Sequence, residues 1–360
     1  MGNLSDKVRT TERILISRAL PGMELARDIY SRTDQMILSR GSILDDQKIL
    51  KIMSYSIDTI TVFKKDDPVE KSLAEQMKNS VEFREFSQHY DDAVTNLKNV
   101  FNGVISENKE INQDEIVGDI ENIISEVGST ARVFNMLHCI RDYDDVTYMH
   151  SMNVSLICNC FARWMGMSEN EKRIITIGGI LHDVGKTMIP KEVLMKPDRL
   201  SPEEYNIIKT HTLRGYGILR DKKIDDKIKM IALQHHERVD KTGYPFGKSG
   251  NEVEPLSMVV AIADVFDAMT SARTYRPGYC CFDVIASIEN GGNSFAAAYA
   301  VPLIQQIAGV YIGHTVILTD DTKGKIIMMN KNELSRPVIQ VGGQFIDLTK
   351  KRDLKIKEIV

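Results

Sequence analysis

Eight histidines occur among 360 residues. Five of them, His150, His182, His211, His235 and His236, share one helical stretch with two carboxylates, Asp183 and Asp264. His150 lies on the same helical face as Val146, Val154, Ile157, Phe161 and Met165, so it points inward. His182 ends the apolar run from Ile174 to Leu181, and His211 follows Ile207 and Ile208 by four and three positions. Asp264 interrupts an apolar helix, Val259 to Phe266, where a carboxylate without a partner is very costly. One inward His is ordinarily a satisfied core residue. Several helices that each aim a His or Asp at one interior are best explained by metal ions.

Imidazole and carboxylate ligands favour Fe, Mn, Zn or Co over Mg or Ca. His150, His182, Asp183 and Asp264 would fill one site. His211, His235 and His236 remain for a second, and the two oxygens of Asp183 can bridge both. Such a two-metal site clamps a phosphoryl group and generates a hydroxide for in-line attack. Neighbouring side chains on a helix diverge by about 100°, so His235 and His236 can share a metal only near a helix end, which Gly243 and Pro245 are expected to supply. Lys186, presented by a tight helix end at Gly185, would neutralise charge on a transition-state phosphate oxygen. Without metals it reads as a solvated lysine. Glu237 either orients a ligand imidazole or faces solvent.

The elements that position these residues are mainly helical. Residues 143–309 form the helical segment that carries the ligands, with capping boxes at Ser168/Glu171 and Ser201/Glu204, the second with Pro202 at the first helical position. Upstream, residues 67–142 are polar and helical. Leu97, Val100, Val104, Ile116, Ile120, Ile123 and Val127 recur at three- and four-residue spacing, which predicts two long helices broken near Asn108 to Asn112. This connector reads either as a dimerising hairpin or as a flank packed on the next segment. Residues 1–66 show short alternating apolar runs punctuated by Gly22 and Gly41, a small β-rich module with one short helix near Gln47 to Ser54. Residues 310–360 return to short strands at Thr315 to Leu318, Lys325 to Met329 and Val338 to Val341.

Composition narrows the function classes. The hydrophobic share is 42% and the net charge is -4, so no global basic field attracts long nucleic acid. No apolar run reaches about 18 residues, and the polar N-terminus has no signal-peptide core, so a cytoplasmic chain that does not span a membrane is expected. The five cysteines lack a C-x-x-C pair and read as reduced thiols, with Cys158 and Cys160 filling a helix core. His89, His138 and His314 read as ordinary surface or core residues, and Lys222-Lys223 as a solvated turn.

The order of these residues resembles the HD superfamily of metal-dependent phosphohydrolases, and within it the HD-GYP proteins. The motifs are Thr147-Tyr148-x-His150-Ser151-x-Asn153-Val154 and Leu181-His182-Asp183-Val184-Gly185-Lys186. Next come Ile189-Pro190, Leu194-x-Lys196-Pro197 and Lys209-Thr210-His211-x-x-x-Gly215. The last two are His235-His236-Glu237-Arg238-x-Asp240-x-x-Gly243-Tyr244-Pro245 and Asp264-Val265-Phe266-Asp267-Ala268-x-Thr270-x-x-Arg273-x-Tyr275-Arg276. The resemblance implies an all-helical HD-GYP catalytic domain, here flanked by a small N-terminal β-rich module and a short C-terminal β segment that also resemble those of some members. It implies a bi- or trinuclear metal centre, often iron, and hydrolysis of cyclic di-GMP to the linear dinucleotide and in some members to GMP. By the same resemblance Lys186 touches the scissile phosphate, Arg273 and Arg276 hold the distal phosphate or guanine, and Gly243-Tyr244-Pro245 shapes the pocket wall.

The chain departs from the family pattern at Lys241, where glycine is usual, and at Val146, where some members have a glutamate that holds a third metal. Ala also stands where an acid is common in Ser294 to Tyr299. Two metals are therefore expected, iron first and manganese as the alternative. Two other readings remain. One is a catalytically weak receptor that binds cyclic di-GMP or a GGDEF-type cyclase. The other is an HD phosphodiesterase for another nucleotide, such as cyclic GMP-AMP or a guanosine polyphosphate.

Overall fold

A computed structural model describes residues 11–16, 19, 21–30, 35–55, 57, 59–63, 77–140, 146–196, 198–271, 278–291 and 294–360. The chain divides into two compact units, Met1–Lys71 and Ser72–Val360.

In the first unit β1 (Thr11–Leu15) pairs antiparallel with β4 (Thr59–Phe63), and β2 (Ile29–Tyr30) pairs with β3 (Met36–Leu38). Helix α1 (Asp46–Ser54) lies between β3 and β4 in the chain. Ile60 and Val62 alternate inward along β4, as the period of two in a half-buried strand requires. They join Ile16, Leu25, Ile29, Ile37, Leu44 and Ile52 in a small core.

The second unit is built on helices. Helix α2 (Val81–Ser106) is capped by Ser80, whose side chain accepts from Phe83 N, and it buries Phe86, Tyr90, Ala93, Val94, Leu97, Phe101 and Val104 on one stripe. Helix α3 (Gln113–Val127) starts at an Asn112 cap and ends at Gly128, whose φ of 72° stops the helix. A third helix, α4 (Thr130–Cys139), follows a Ser129 cap. Among the described residues of 67–142 the two-helix expectation misses α4, because Gly128 in the left-handed conformation and the Ser129 cap break the chain within two residues.

Helices α5 (Val146–Trp164) and α6 (Glu169–Leu181) pair at the centre. Both expected capping boxes are present, Ser168/Glu171 at α6 and Ser201/Glu204 at α8 (Pro202–Lys209). Gly179 lets α6 press onto α5, since a Cβ there would lie 2.8 Å from Ser155 Cα. Between α6 and α8 run a 3-10 turn (Val184–Met188) and α7 (Lys191–Leu194). After them come α9 (His211–Leu219), α10 (Asp226–Gln234), α11 (Pro255–Thr270), α12 (Cys281–Asn290) and α13 (Ala297–Val310).

The C-terminal residues form a five-stranded antiparallel sheet of β5 (Thr315–Leu318), β6 (Lys323–Asn330), β7 (Glu333–Val341), β8 (Gln344–Asp347) and β9 (Ile356–Ile359). Its order is β8-β7-β6-β5-β9. It adds β8 and β9 to the three strands expected, because each carries only two apolar residues where β5, of the same length, carries three. Val316, Ile326, Ile339 and Ile356 of this sheet share one continuous core with α2, α3 and the central helices. Glu289 on α12 ties the sheet down by accepting from Leu334 N at 2.6 Å and Ser335 N at 3.2 Å. Lys222 is not in a solvated turn. It is buried and donates to the carbonyls of Asn108 (2.8 Å) and Lys109 (2.7 Å), closing the link between α2 and α3. Among the described residues no helix is long and apolar enough to cross a membrane.

Candidate metal centre

The seven sequence-predicted ligands converge. His150 comes from the first turns of α5, and Asp264 from α11. The others sit at helix ends: His182 caps α6, Asp183 follows it, His211 opens α9 and His235 caps α10. Helix α10 already ends at Gln234, well before Gly243, so the turn into 235–238 ends it rather than the glycine. His150, His182, Asp183, His211, His235 and Asp264 are buried, and His236 is partly exposed.

Their donor atoms form two groups, His150, His182 and Asp264, and Asp183, His211, His235 and His236. Within each group the donors lie within 4.8 Å of one another. Asp183 faces both. Its Oδ2 is 3.1 Å from His182 Nε2 and 3.7 Å from His150 Nε2, while its Oδ1 is 3.4 Å from His211 Nε2 and 3.7 Å from His235 Nε2. His236 Nδ1 lies 3.7 Å from Asp264 Oδ2, at the seam of the two groups.

The ring nitrogens are oriented by their outer partners. His182 Nδ1 donates to Gly179 O at 2.7 Å, His211 Nδ1 to Ile208 O at 2.7 Å, and His235 Nδ1 to Ile231 O and Ala232 O at 3.1 Å. Each bond leaves the Nε2 lone pair aimed into the cluster. His211 Nε2 and His235 Nε2 then meet at 3.2 Å with no proton to share. His182 Nε2 and Asp183 Oδ1 are buried without a hydrogen-bond partner. Unpaired groups of this kind cost about 1–3 kcal/mol each. A cation in each group would satisfy these lone pairs, so this donor set fits transition-metal ions.

The electrostatics agree. Burial drives His235 well below the ordinary histidine range, with His236, His182 and His211 adding to it. Burial likewise takes His236 down to about 3. Burial opposes charge on Asp183, yet the neighbouring His182 and Lys186 hold it well below the usual carboxylate range. Neutral imidazoles and ionised carboxylates are the forms that bind metal. His150 differs. Burial works against its charge, but hydrogen bonds to Asp264 and Asp267 raise it to about 9.

Lys186 is partly exposed on the 3-10 turn, with Nζ 2.5 Å from Asp183 Oδ2. Gly185 beside it is dictated by packing: a Cβ there would fall 2.0 Å from His211 O and 2.5 Å from Gly215 N. The Gly243-Tyr244-Pro245 loop borders the cluster, with the Tyr244 ring 4.6 Å from that of His236 and the Tyr244–Pro245 bond cis. Glu237 neither orients an imidazole nor faces solvent. It is buried, and its carboxylate accepts from Phe246 N at 2.8 Å and Lys248 N at 2.9 Å, clasping that loop. Lys241 has a φ of 67°, the left-handed conformation that favours glycine. Arg273 and Arg276 lie outside the described residues. His89 pairs with Glu126 and His314 packs on Tyr311, both away from the cluster. Cys158 and Cys160 are buried free thiols.

Sequence reasoning missed Asp267, which accepts from His150 Nδ1 at 2.7 Å. The available signal was spacing. Asp267 follows Asp264 by one helical turn, so both carboxylates lie on the face that meets His150.

A family model described as an HD domain matches residues 135–295. The chain is 29% identical over 204 residues to a cyclic di-GMP phosphodiesterase of Pseudomonas aeruginosa, covering 56% of this chain and 49% of that protein. It is 39% identical over 165 residues to a cyclic di-GMP phosphodiesterase of Thermotoga maritima, covering 45% and 44%. It is 33% identical over 153 residues to the 3'3'-cGAMP-specific phosphodiesterase 1 of Vibrio cholerae, covering 42% and 35%. The chain thus spans about half, or less, of the length of these curated relatives.

Proposed function

We propose, from the premise that residues 135–295 belong to the HD-domain family, that this chain is a metal-dependent phosphodiesterase of the HD-GYP type that hydrolyses cyclic di-GMP to its linear dinucleotide. The observation that carries the reading is Asp183, a buried carboxylate with one oxygen turned to each group of histidines and one of those oxygens without a hydrogen bond. His150, His182 and Asp264 would hold one cation, and His211, His235 and His236 the other, with Asp183 shared. Iron is the first candidate and manganese the second. A bound pair supplies Lewis-acid charge to a phosphoryl group and lowers the pKa of water.

The chain's own groups do the rest. Lys186 holds an ammonium at the edge of the cluster, where it can neutralise charge that develops on a phosphate oxygen. Tyr244, its ring tilted against that of His236, offers a flat wall to a nucleobase and helps exclude water. Arg273 and Arg276 are assigned the distal phosphate or guanine from the motif alone, where a guanidinium fork suits phosphate.

The relatives named for 3'3'-cGAMP favour a second substrate, so the assay takes both dinucleotides. Protein purified without oxygen is assayed for bound metal, then for turnover of each dinucleotide by chromatography, with Asp183→Ala as control. About two Fe or Mn per chain, with turnover lost in the control, is the expected outcome. Tight nucleotide binding without turnover in any metal would overturn the enzyme and leave a receptor. Faster turnover of cGAMP would reassign the substrate.

A further inference from the structure

Three of the cluster's histidines are aimed by backbone carbonyls three or four residues earlier in the chain, namely His182 by Gly179, His211 by Ile208, and His235 by Ile231 and Ala232. His150 is aimed from far away in sequence. Its Nδ1 meets Asp267 Oδ2 at 2.7 Å across the interface of α5 and α11. The other oxygen of Asp267 accepts from Asn153 Nδ2 at 2.9 Å and Ser271 Oγ at 3.1 Å. Asn153 Oδ1 in turn accepts from the Tyr90 hydroxyl at 2.7 Å, and that hydroxyl also lies 3.2 Å from Met149 O. Tyr90, Asn153, Asp267 and His150 are all buried. Their donors and acceptors interlock in one order: Tyr90 to Asn153, Asn153 to Asp267, and His150 to Asp267 from the other side. A rotation of Asn153 or Asp267 therefore leaves a neighbour unsatisfied. Tyr90 belongs to α2, outside residues 135–295.

We propose that Asp267 is a positioning residue for His150, and that Tyr90 acts through Asn153 to hold Asp267 in place, so that α2 is part of the support of the metal centre. The inference rests on the metal-site reading above. A carboxylate on the outer nitrogen of a ligand imidazole fixes its orientation and raises its basicity. Asp267→Asn keeps the shape but sets an amide NH2 against either His150 or Asn153. Tyr90→Phe removes a single oxygen from the far end of the run.

The full chain is stripped of metal and titrated with cobalt(II) in competition with a chelator, and the visible bands of bound cobalt are recorded. Asp267→Asn is expected to weaken cobalt binding by about tenfold or more and to shift the bands. Tyr90→Phe is expected to weaken binding less, and to add nothing in the Asp267→Asn background. Cobalt affinity and bands equal to the wild type in both variants would overturn the proposal, whatever their melting temperatures. Additive losses in the double variant would overturn the route from Tyr90 through Asp267. If Asp267→Asn does not fold, Tyr90→Phe decides alone: weaker binding with shifted bands supports the proposal and unchanged binding overturns it. A wild-type chain that takes up no cobalt would sink the metal reading itself, a result distinct from variants that match a cobalt-binding wild type.

Discussion

Asp183, His150, His182, His211 and His235 are shut away from solvent, whereas the loop that leaves the partly exposed His236 exposes Asp240, Lys241, Thr242 and Phe246. In the cluster His182, His211 and His235 are held by main-chain carbonyls, and His150 by the buried carboxylate of Asp267. The loop is held by two carboxylates, Glu237 on the backbone of Phe246 and Lys248 and Asp240 on Thr242 and Ser294, and passes through a conformation that its own Lys241 disfavours. A buried centre beside an exposed rim suits the proposed hydrolase, in which the centre would carry the metal chemistry and the rim the fit to substrate. The two regions should therefore fail in different ways.

The largest expected effect is on the cluster side. Asp183→Ala should lower turnover by about a thousandfold and reduce bound metal, read by chromatography and metal analysis. Should this variant keep both metals, the shared role of Asp183 is wrong. Chelation comes next. Cations present at a hundredfold above their dissociation constant stabilise by about 2.7 kcal/mol per site. Stripped protein should accordingly melt several degrees lower in calorimetry, and the loss should return on adding metal. A melting temperature indifferent to chelator would separate the cluster from metal altogether.

On the rim, Glu237→Gln leaves only one acceptor for two backbone donors. KM for the dinucleotide should rise roughly tenfold, the equivalent of one charge-assisted hydrogen bond, with metal content unchanged. Loss of metal in this variant would break the division between centre and rim. The smallest effect is expected at Lys241→Gly. Relief of the left-handed backbone should stabilise by about 1 kcal/mol at most, visible as a higher denaturant midpoint. A lower kcat/KM in the same variant would show that the Lys241 side chain contacts substrate.

The residues that converge in the cluster were legible in the sequence because their signal is local. Each of His150, His182, His211 and Asp264 breaks an apolar helical pattern, and a polar residue on an inward face demands a partner. The capping boxes at Ser168 and Ser201 are equally local, since both members lie within one turn. What escaped were residues whose purpose depends on something distant. Asp267 supports a histidine 117 positions away, and Glu237 closes a loop through the backbone donors of Phe246 and Lys248. Lys222 secures a link more than a hundred residues upstream, through the carbonyls of Asn108 and Lys109. A carboxylate or an amine carries no mark of which of these it will do. The strands β8 and β9 were missed for a related reason, because four residues with a half-exposed face are stabilised by their neighbours rather than by their own pattern.

Gly185 constrains how such a site can change over time. Main chain abuts main chain where this residue meets His211 and Gly215, with no side chain between them to be trimmed or enlarged. The spacing of Asp183 and His211 is therefore a gauge cut into the backbone itself. Refitting the proposed site to another ion would therefore fall to replacement of its side chains rather than to a wider gap at this point.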